Sequence, residues 1–203
     1  VANAAGPLLH SAALAMRGAF GGDHCVILPS YGMTECMPIS SPPIGYKLER
    51  PGTSGYACGP SVAIHDAAGT PKPAGVVGQI VLRGLPLFEG YLGDAAGGEG
   101  GRSRAGFEPG AGGVGDGGWF RTGDVGYLDR DGWLYVTGRD KEVINRGGET
   151  IAPTCIEEAV STHPFVDTAY AFAMPHTELQ ETVGVCIIVA SGLPRPSLLA
   201  LQQ

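Results

Sequence analysis

Apolar residues recur at Leu8, Leu9, Ala12, Ala13, Met16 and Phe20, a helical spacing that stops at Gly21-Gly22. A short apolar run over residues 25–28 follows and predicts a buried strand broken by Pro29. The segment from Tyr31 to Glu35 then reads as a loop just past a strand's carboxyl end, where open α/β sheets place their ligands. After Pro51 the period shortens. Runs over 61–65 and 79–83, with the turn Asp66-Ala-Ala-Gly69 closing the first, predict a smaller β-rich part beside the first. Residues 126–128 and 133–137 flank Asp129-Arg-Asp-Gly132 and predict a hairpin whose glycine can take positive φ. Pro153 is suited to a first helical position, and the helix is expected to run through Glu157, Glu158 and Val160. Two further strands are expected over 165–174 and 182–190. The sum is a mixed chain of the α/β (α+β) class.

Composition narrows what such a fold can do. With 203 residues and 43% apolar content the chain can build a real core, as one large or two small domains. A net charge of -7 with scattered basic residues excludes a nucleic-acid stripe and a membrane-facing cationic helix. No apolar run reaches the roughly 20 residues of a membrane span, and no secretory leader opens the chain. Cys25, Cys36, Cys58, Cys155 and Cys186 are odd in number and never paired as C-x-x-C, which favours free thiols in a reducing compartment. The expected location is the cytoplasm, or the peroxisome if a targeting signal lies outside these residues. The absence of an initiator methionine at Val1 fits an internal fragment.

Residues 95–118 hold eleven glycines in twenty-four positions and almost no apolar anchor, so the segment reads as a mobile insertion. A phosphate loop is the alternative, but no strand precedes it, no helix follows, and it lacks a Gly-Lys-Ser/Thr ending. The five histidines are isolated from acidic or cysteine partners at ligand spacing, and His176 follows Met-Pro in a surface turn. Neither a metalloenzyme nor a Ser/His/Asp site emerges. Cys155, in a helix's first turn, reads as packing or surface and not as a nucleophile.

The chemistry lies in three motifs: Tyr31-Gly-Met-Thr-Glu35, Trp119-Phe-Arg-Thr-Gly-Asp124 and Gly138-Arg-Asp-Lys-Glu-Val-Ile-Asn-Arg-Gly-Gly-Glu149. Folding about Arg130 and Asp131 brings residue 124 opposite roughly residue 137, so Asp124 and Arg139 end on one hairpin edge. A carboxylate there can accept two hydrogen bonds from a ribose diol, and a guanidinium can hold ribose or phosphate oxygen. Spacing alone equally allows a structural Asp/Arg ion pair of small worth. Likewise the Tyr31 motif alone fits a β-turn with a buried tyrosine.

Taken together, the three motifs resemble the adenylate-forming superfamily of acyl- and aryl-CoA ligases, luciferases and peptide-synthetase adenylation domains, nearest to its acyl-CoA ligase branch. The likeness runs from about Asn3 to Val189. It implies ATP, AMP, Mg2+ and CoA as ligands. Tyr31 would stack on adenine beside Gly32, Thr34 would bond the α-phosphate, and Glu35 would help hold magnesium. Asp124 and Arg139 would position the ribose. Lys141 would be the hinge of a mobile small domain, and Gly147 and Gly148 would leave room for a pantetheine arm. Asn3-Ala-Ala-Gly-Pro-Leu8 resembles the small-residue loop lining the adenine and acyl pocket, while Gly78 to Gly84 with Gly90-Tyr91 matches a structural pattern of the family.

The same likeness implies a large domain over 1–140 and a small one, about half present, over 141–203. The family's phosphate loop would lie upstream and its catalytic lysine downstream, so the isolated chain is expected to be a poor catalyst. A carboxylic acid would attack the α-phosphate of ATP, and CoA, or a pantetheine carrier, would then displace AMP. Loading of a carrier protein and a non-catalytic adenylate-binding module are the alternatives.

Overall fold

The computed structural model describes residues 1–4, 8, 10–92, 102–103, 106–107 and 118–193. Ala5, Gly6 and Pro7 of the small-residue loop, and most of the glycine-rich segment 95–118, lie outside the described residues. The chain forms two compact units, Val1–Val136 and Thr137–Gln203. It is sheet-rich and mixed, an α+β fold in which nearly every described strand pairing is antiparallel.

The first unit opens with β1 (Ala2–Asn3), α1 (His10–Ala19) and β2 (Leu28–Pro29). The helix lies where the apolar spacing puts it, with Ala13 on its buried face. The strand differs from expectation. Residues 22–24 form a 3-10 turn that takes the Cys25 N–H, so pairing begins only at Leu28. Pro29 does not break it, because β1 and β2 are parallel and the donors are Leu28, to Val1 O at 2.8 Å, and Ser30, to Asn3 O at 2.7 Å. The proline falls between them, at the position that donates nothing.

Next come β3 (Tyr31–Met33), β4 (Cys36–Ser41) and β5 (Tyr56–Ala57), a small antiparallel sheet. The Tyr31 motif is therefore a hairpin and not a loop. Thr34 and Glu35 are its turn, and Met33 faces Cys36 across it.

The main sheet has the order β11-β10-β7-β6, built from β6 (Ser61–His65), β7 (Gly78–Arg83), β10 (Phe120–Leu128) and β11 (Leu134–Arg139). β8 (Tyr91–Leu92) and β9 (Arg102–Ser103) pair as a separate two-stranded ribbon. Ile80, Val81 and Leu82 are all fully buried, so β7 is covered on both faces. Asp66 accepts from the Ala68 and Thr70 N–H groups and closes the turn after β6, as its sequence predicts. Asp129 does the same for Asp131 and Trp133 between β10 and β11.

Two apolar clusters hold this unit. One gathers Ile39, Ile64, Ile80, Leu82, Phe120 and Leu134. The other joins Ala13 of α1 to Ile27, Tyr46, Leu48 and Trp133, so helix and strands share one unit. Arg50 binds the hairpin turn from outside, with Asp129 at 2.6 Å and Asp131 at 2.5 Å, and lies 4.9 Å over the Trp133 ring. The lack of apolar anchors expected for 95–118 is corrected at one described residue: Phe107 packs against Phe120 and Phe88, with centroids 5.2 and 6.1 Å away.

The second unit contains β12 (Ile144–Arg146), β13 (Glu149–Ile151), α2 (Pro153–Ser161), β14 (Val166–His176) and β15 (Gln180–Val189). Its sheet runs β13-β12-β15-β14, and α2 packs on β14. Pro153 stands at the first helical turn, where its missing N–H costs nothing. His176 ends β14, and its Nδ1 accepts from the Glu178 and Leu179 N–H groups, a turn role. Among the described residues no helix is long and apolar enough to cross a membrane.

Candidate nucleotide site

Asp124 sits on a deliberate irregularity. Arg121 faces Val81 and Val125 faces Gln79, so four steps along β10 match two along β7. The surplus is taken up by Thr122-Gly123-Asp124. Gly123 has φ 81, which a side chain would resist. Thr122 Oγ1 donates to Ile80 O at 3.0 Å and accepts from the Asp124 N–H at 3.0 Å. These two bonds hold the bulge and set the direction of Asp124. Bulges of this kind re-aim a side chain out of the ladder. The strand prediction, which begins only at 126, missed that the whole Arg-Thr-Gly-Asp motif lies within a strand.

Tyr31 meets Asp124 there. Its hydroxyl donates to Asp124 Oδ2 at 2.6 Å, linking residues 93 positions apart. Burial, followed by the Asp124 charge and the hydrogen bond itself, pushes the Tyr31 hydroxyl far above the ordinary tyrosine range. The phenol is thus held as a donor at neutral pH and beyond the point where an exposed tyrosine ionises. An ionised carboxylate has about four acceptor sites and can take bonds from more than one donor.

This bond has a measurable pH signature. Tyr31 is protonated in the native state at pH values where an unfolded tyrosine ionises, so above pH of about 10 the unfolded state binds fewer protons than the native. Stability contributed by the raised value is complete below that pH and falls as pH rises through it. The wild type is expected to lose stability more steeply above pH of about 10 than Tyr31→Phe, as read by denaturant midpoints across an alkaline series. Parallel curves would contradict the buried bond.

Gly32, in β3, faces the Met37 side chain, and a Cβ there would come within 3.3 Å of Met37 Cε. Thr34 is exposed at the turn, and Glu35 beside it is half-buried. Glu35 Oε1 accepts from the Tyr91 hydroxyl at 2.7 Å, and its carbonyl oxygen accepts from the Phe88 N–H at 2.8 Å. Tyr91 is a contact the sequence reading left as structural pattern alone. Among the described residues no three His, Cys, Asp or Glu side chains gather as a metal cage. A single carboxylate on a turn nevertheless fits magnesium, which keeps waters and is commonly held by one or two carboxylates together with substrate phosphates.

Arg139, Lys141, Gly147 and Gly148 belong to the second unit. Arg139 is the exposed last residue of β11, and its carbonyl oxygen accepts from the Glu142 and Val143 N–H groups. Lys141 is exposed in that turn and lines a shallow cavity of about 330 Å³ with Pro153, Glu157, Phe172 and Glu181. Gly147 and Gly148, at φ 59 and 95, make the two-residue turn between β12 and β13, for which a type I′ geometry needs positive φ twice. Gly147 also lies against Leu179, a structural reason for glycine that stands beside any ligand role.

A family model for AMP-binding enzymes matches residues 1–92. Among curated proteins, the chain is 35% identical over 179 residues to an oxalate–CoA ligase of Arabidopsis thaliana, covering 87% of this chain and 32% of that protein. It is 37% identical over 175 residues to a sulfoacetate–CoA ligase of Cupriavidus necator, covering 86% and 31%. The ATP-bound crystal structure of MatB from Rhodopseudomonas palustris matches with a TM-score of 0.80 at 27% identity, over 99% of this chain and 37% of that one. The chain spans about a third of the length of these relatives.

Proposed function

The chain belongs to the adenylate-forming superfamily of AMP-binding enzymes, within its CoA-ligase branch, and from that premise we propose that it serves the ATP-dependent activation of a carboxylic acid as an adenylate and then as a CoA thioester. The observation that supports this best is the 2.6 Å bond between Tyr31 and Asp124, which joins two nucleotide motifs distant in sequence.

In this reading the acid's carboxylate oxygen attacks the α-phosphorus of ATP, and pyrophosphate leaves. The thiol of CoA then attacks the acyl carbon, and AMP leaves. Asp124 accepts the ribose hydroxyls, oriented by the Tyr31 hydroxyl. The Tyr31 ring offers a flat face to adenine. Thr34 donates its hydroxyl to the α-phosphate, and Glu35 supplies a hard oxygen toward the phosphate-bound cation. Magnesium, when bound, neutralises phosphate charge and makes the α-phosphorus easier to attack. Arg139 adds a fixed positive charge near the sugar, Lys141 is the point about which the small unit turns, and Gly147 and Gly148 give clearance to the pantetheine arm. All of these roles are positioning and charge stabilisation, with no covalent protein intermediate.

The test is product analysis with the full-length gene product, ATP, CoA and a panel of acids that includes oxalate and sulfoacetate. AMP and pyrophosphate are expected in equal amounts, only when an acid is present, with thioester forming only when CoA is added. ADP with phosphate, or turnover indifferent to the acid, would refute the proposal.

A further inference from the structure

The turn of the β3–β4 hairpin is fastened to residues 87–91, which run into the start of β8, at three points. Cys36 bridges to Leu87, the Phe88 N–H donates to Glu35 O at 2.8 Å, and the Tyr91 hydroxyl donates to Glu35 Oε1 at 2.7 Å. The Tyr91 ring is itself braced, edge-on to Phe88 with centroids 4.7 Å apart. Phe88 in turn rests edge-on against buried Phe120 at 5.3 Å. The hydroxyl that reaches Glu35 therefore stands on a stack that ends in the core.

A glutamate on a two-residue turn has three rotatable bonds, and without a partner it would spend most of its time among solvated rotamers. A braced phenol removes that freedom. We infer that Tyr91 is a positioning residue for Glu35: by donating to Oε1 it turns Oε2 toward the nucleotide's phosphates, so that Glu35 meets the divalent cation through one oxygen and not as a chelating pair. This rests on the reading of Glu35 as the cation-facing carboxylate given above.

Tyr91→Phe removes the hydroxyl and keeps the ring that packs on Phe88. In the full chain with ATP, Mn2+ is titrated as the probe and followed by its electron paramagnetic resonance signal; AMP affinity is measured separately in EDTA. The half-saturating Mn2+ concentration is expected to rise about tenfold in Tyr91→Phe, the size of losing one hydrogen bond to a charged group. AMP affinity without metal should not move. Glu35→Gln should raise the Mn2+ requirement at least as far, with the double variant no worse than Glu35→Gln alone.

An unchanged Mn2+ requirement in Tyr91→Phe beside a raised one in Glu35→Gln would overturn the inference and leave Glu35's role standing. No change in either variant would remove Glu35 from the cation and the inference with it. Equal losses of Mn2+ and metal-free AMP binding in Tyr91→Phe would mean a general structural role, which also overturns it.

Discussion

Asp124→Ala is expected to weaken AMP binding by about 1 to 3 kcal/mol, the range for removing a hydrogen bond to a charged group. On a dissociation constant that is roughly fivefold to more than a hundredfold. The argument is geometric. Thr122 and Gly123 build a bulge whose product is one carboxylate turned out of the ladder, and Tyr31 grips one of its oxygens. Two controls separate ribose recognition from damage to the fold. AMP lacking both ribose hydroxyls should bind the wild type as poorly as AMP binds Asp124→Ala, and combining the two changes should add little more. The substitution also strands the Tyr31 hydroxyl in a half-buried place, so part of the loss of stability should be recovered in Tyr31→Phe/Asp124→Ala. Calorimetry with the four protein and nucleotide pairings decides the matter. Fully additive losses would place the ribose elsewhere.

The second large effect concerns stability. Phe120 is 2% exposed, opens β10 and touches both Phe88 and Phe107. Phe120→Ala leaves a cavity in the larger apolar cluster and is expected to cost about 3 to 5 kcal/mol. Phe172, on β14 in the other unit, is 47% exposed. Phe172→Ala should cost less than about 1 kcal/mol. The loss should appear in the transition followed by Trp119 and Trp133 fluorescence, both tryptophans lying in the first unit. Comparable losses from the two substitutions would mean that the core has been drawn in the wrong unit.

What could be read in the sequence was what local chemistry decides. The α1 periodicity, the turns at Asp66 and Asp129, Pro153 at a helix start and the two strands β14 and β15 all answer to neighbours a few residues away. The α+β class and the family likeness were legible for the same reason, since contiguous motifs carry them. Pro29 misled because a parallel partner 26 positions upstream decides whether its missing N–H matters. The Tyr31 motif was placed on a loop because nothing nearby shows that residues 36–41 fold back on it. Tyr91 was invisible as a partner of Glu35, since a bond across 56 positions has no local signature. Gly123 was the one overlooked clue: a glycine between strand-forming residues is a recognised mark of a bulge.

That bulge separates the inheritance of the fold from the inheritance of the site. The surplus length on β10 is two residues, measured against the partner strand. An in-frame loss of two codons among positions 122–124 would leave an unbroken ladder beside β7 and no protruding carboxylate. A descendant of this chain could thus shed its sugar contact while keeping its architecture, and a scaffold kept for other reasons could regain one by the same small insertion.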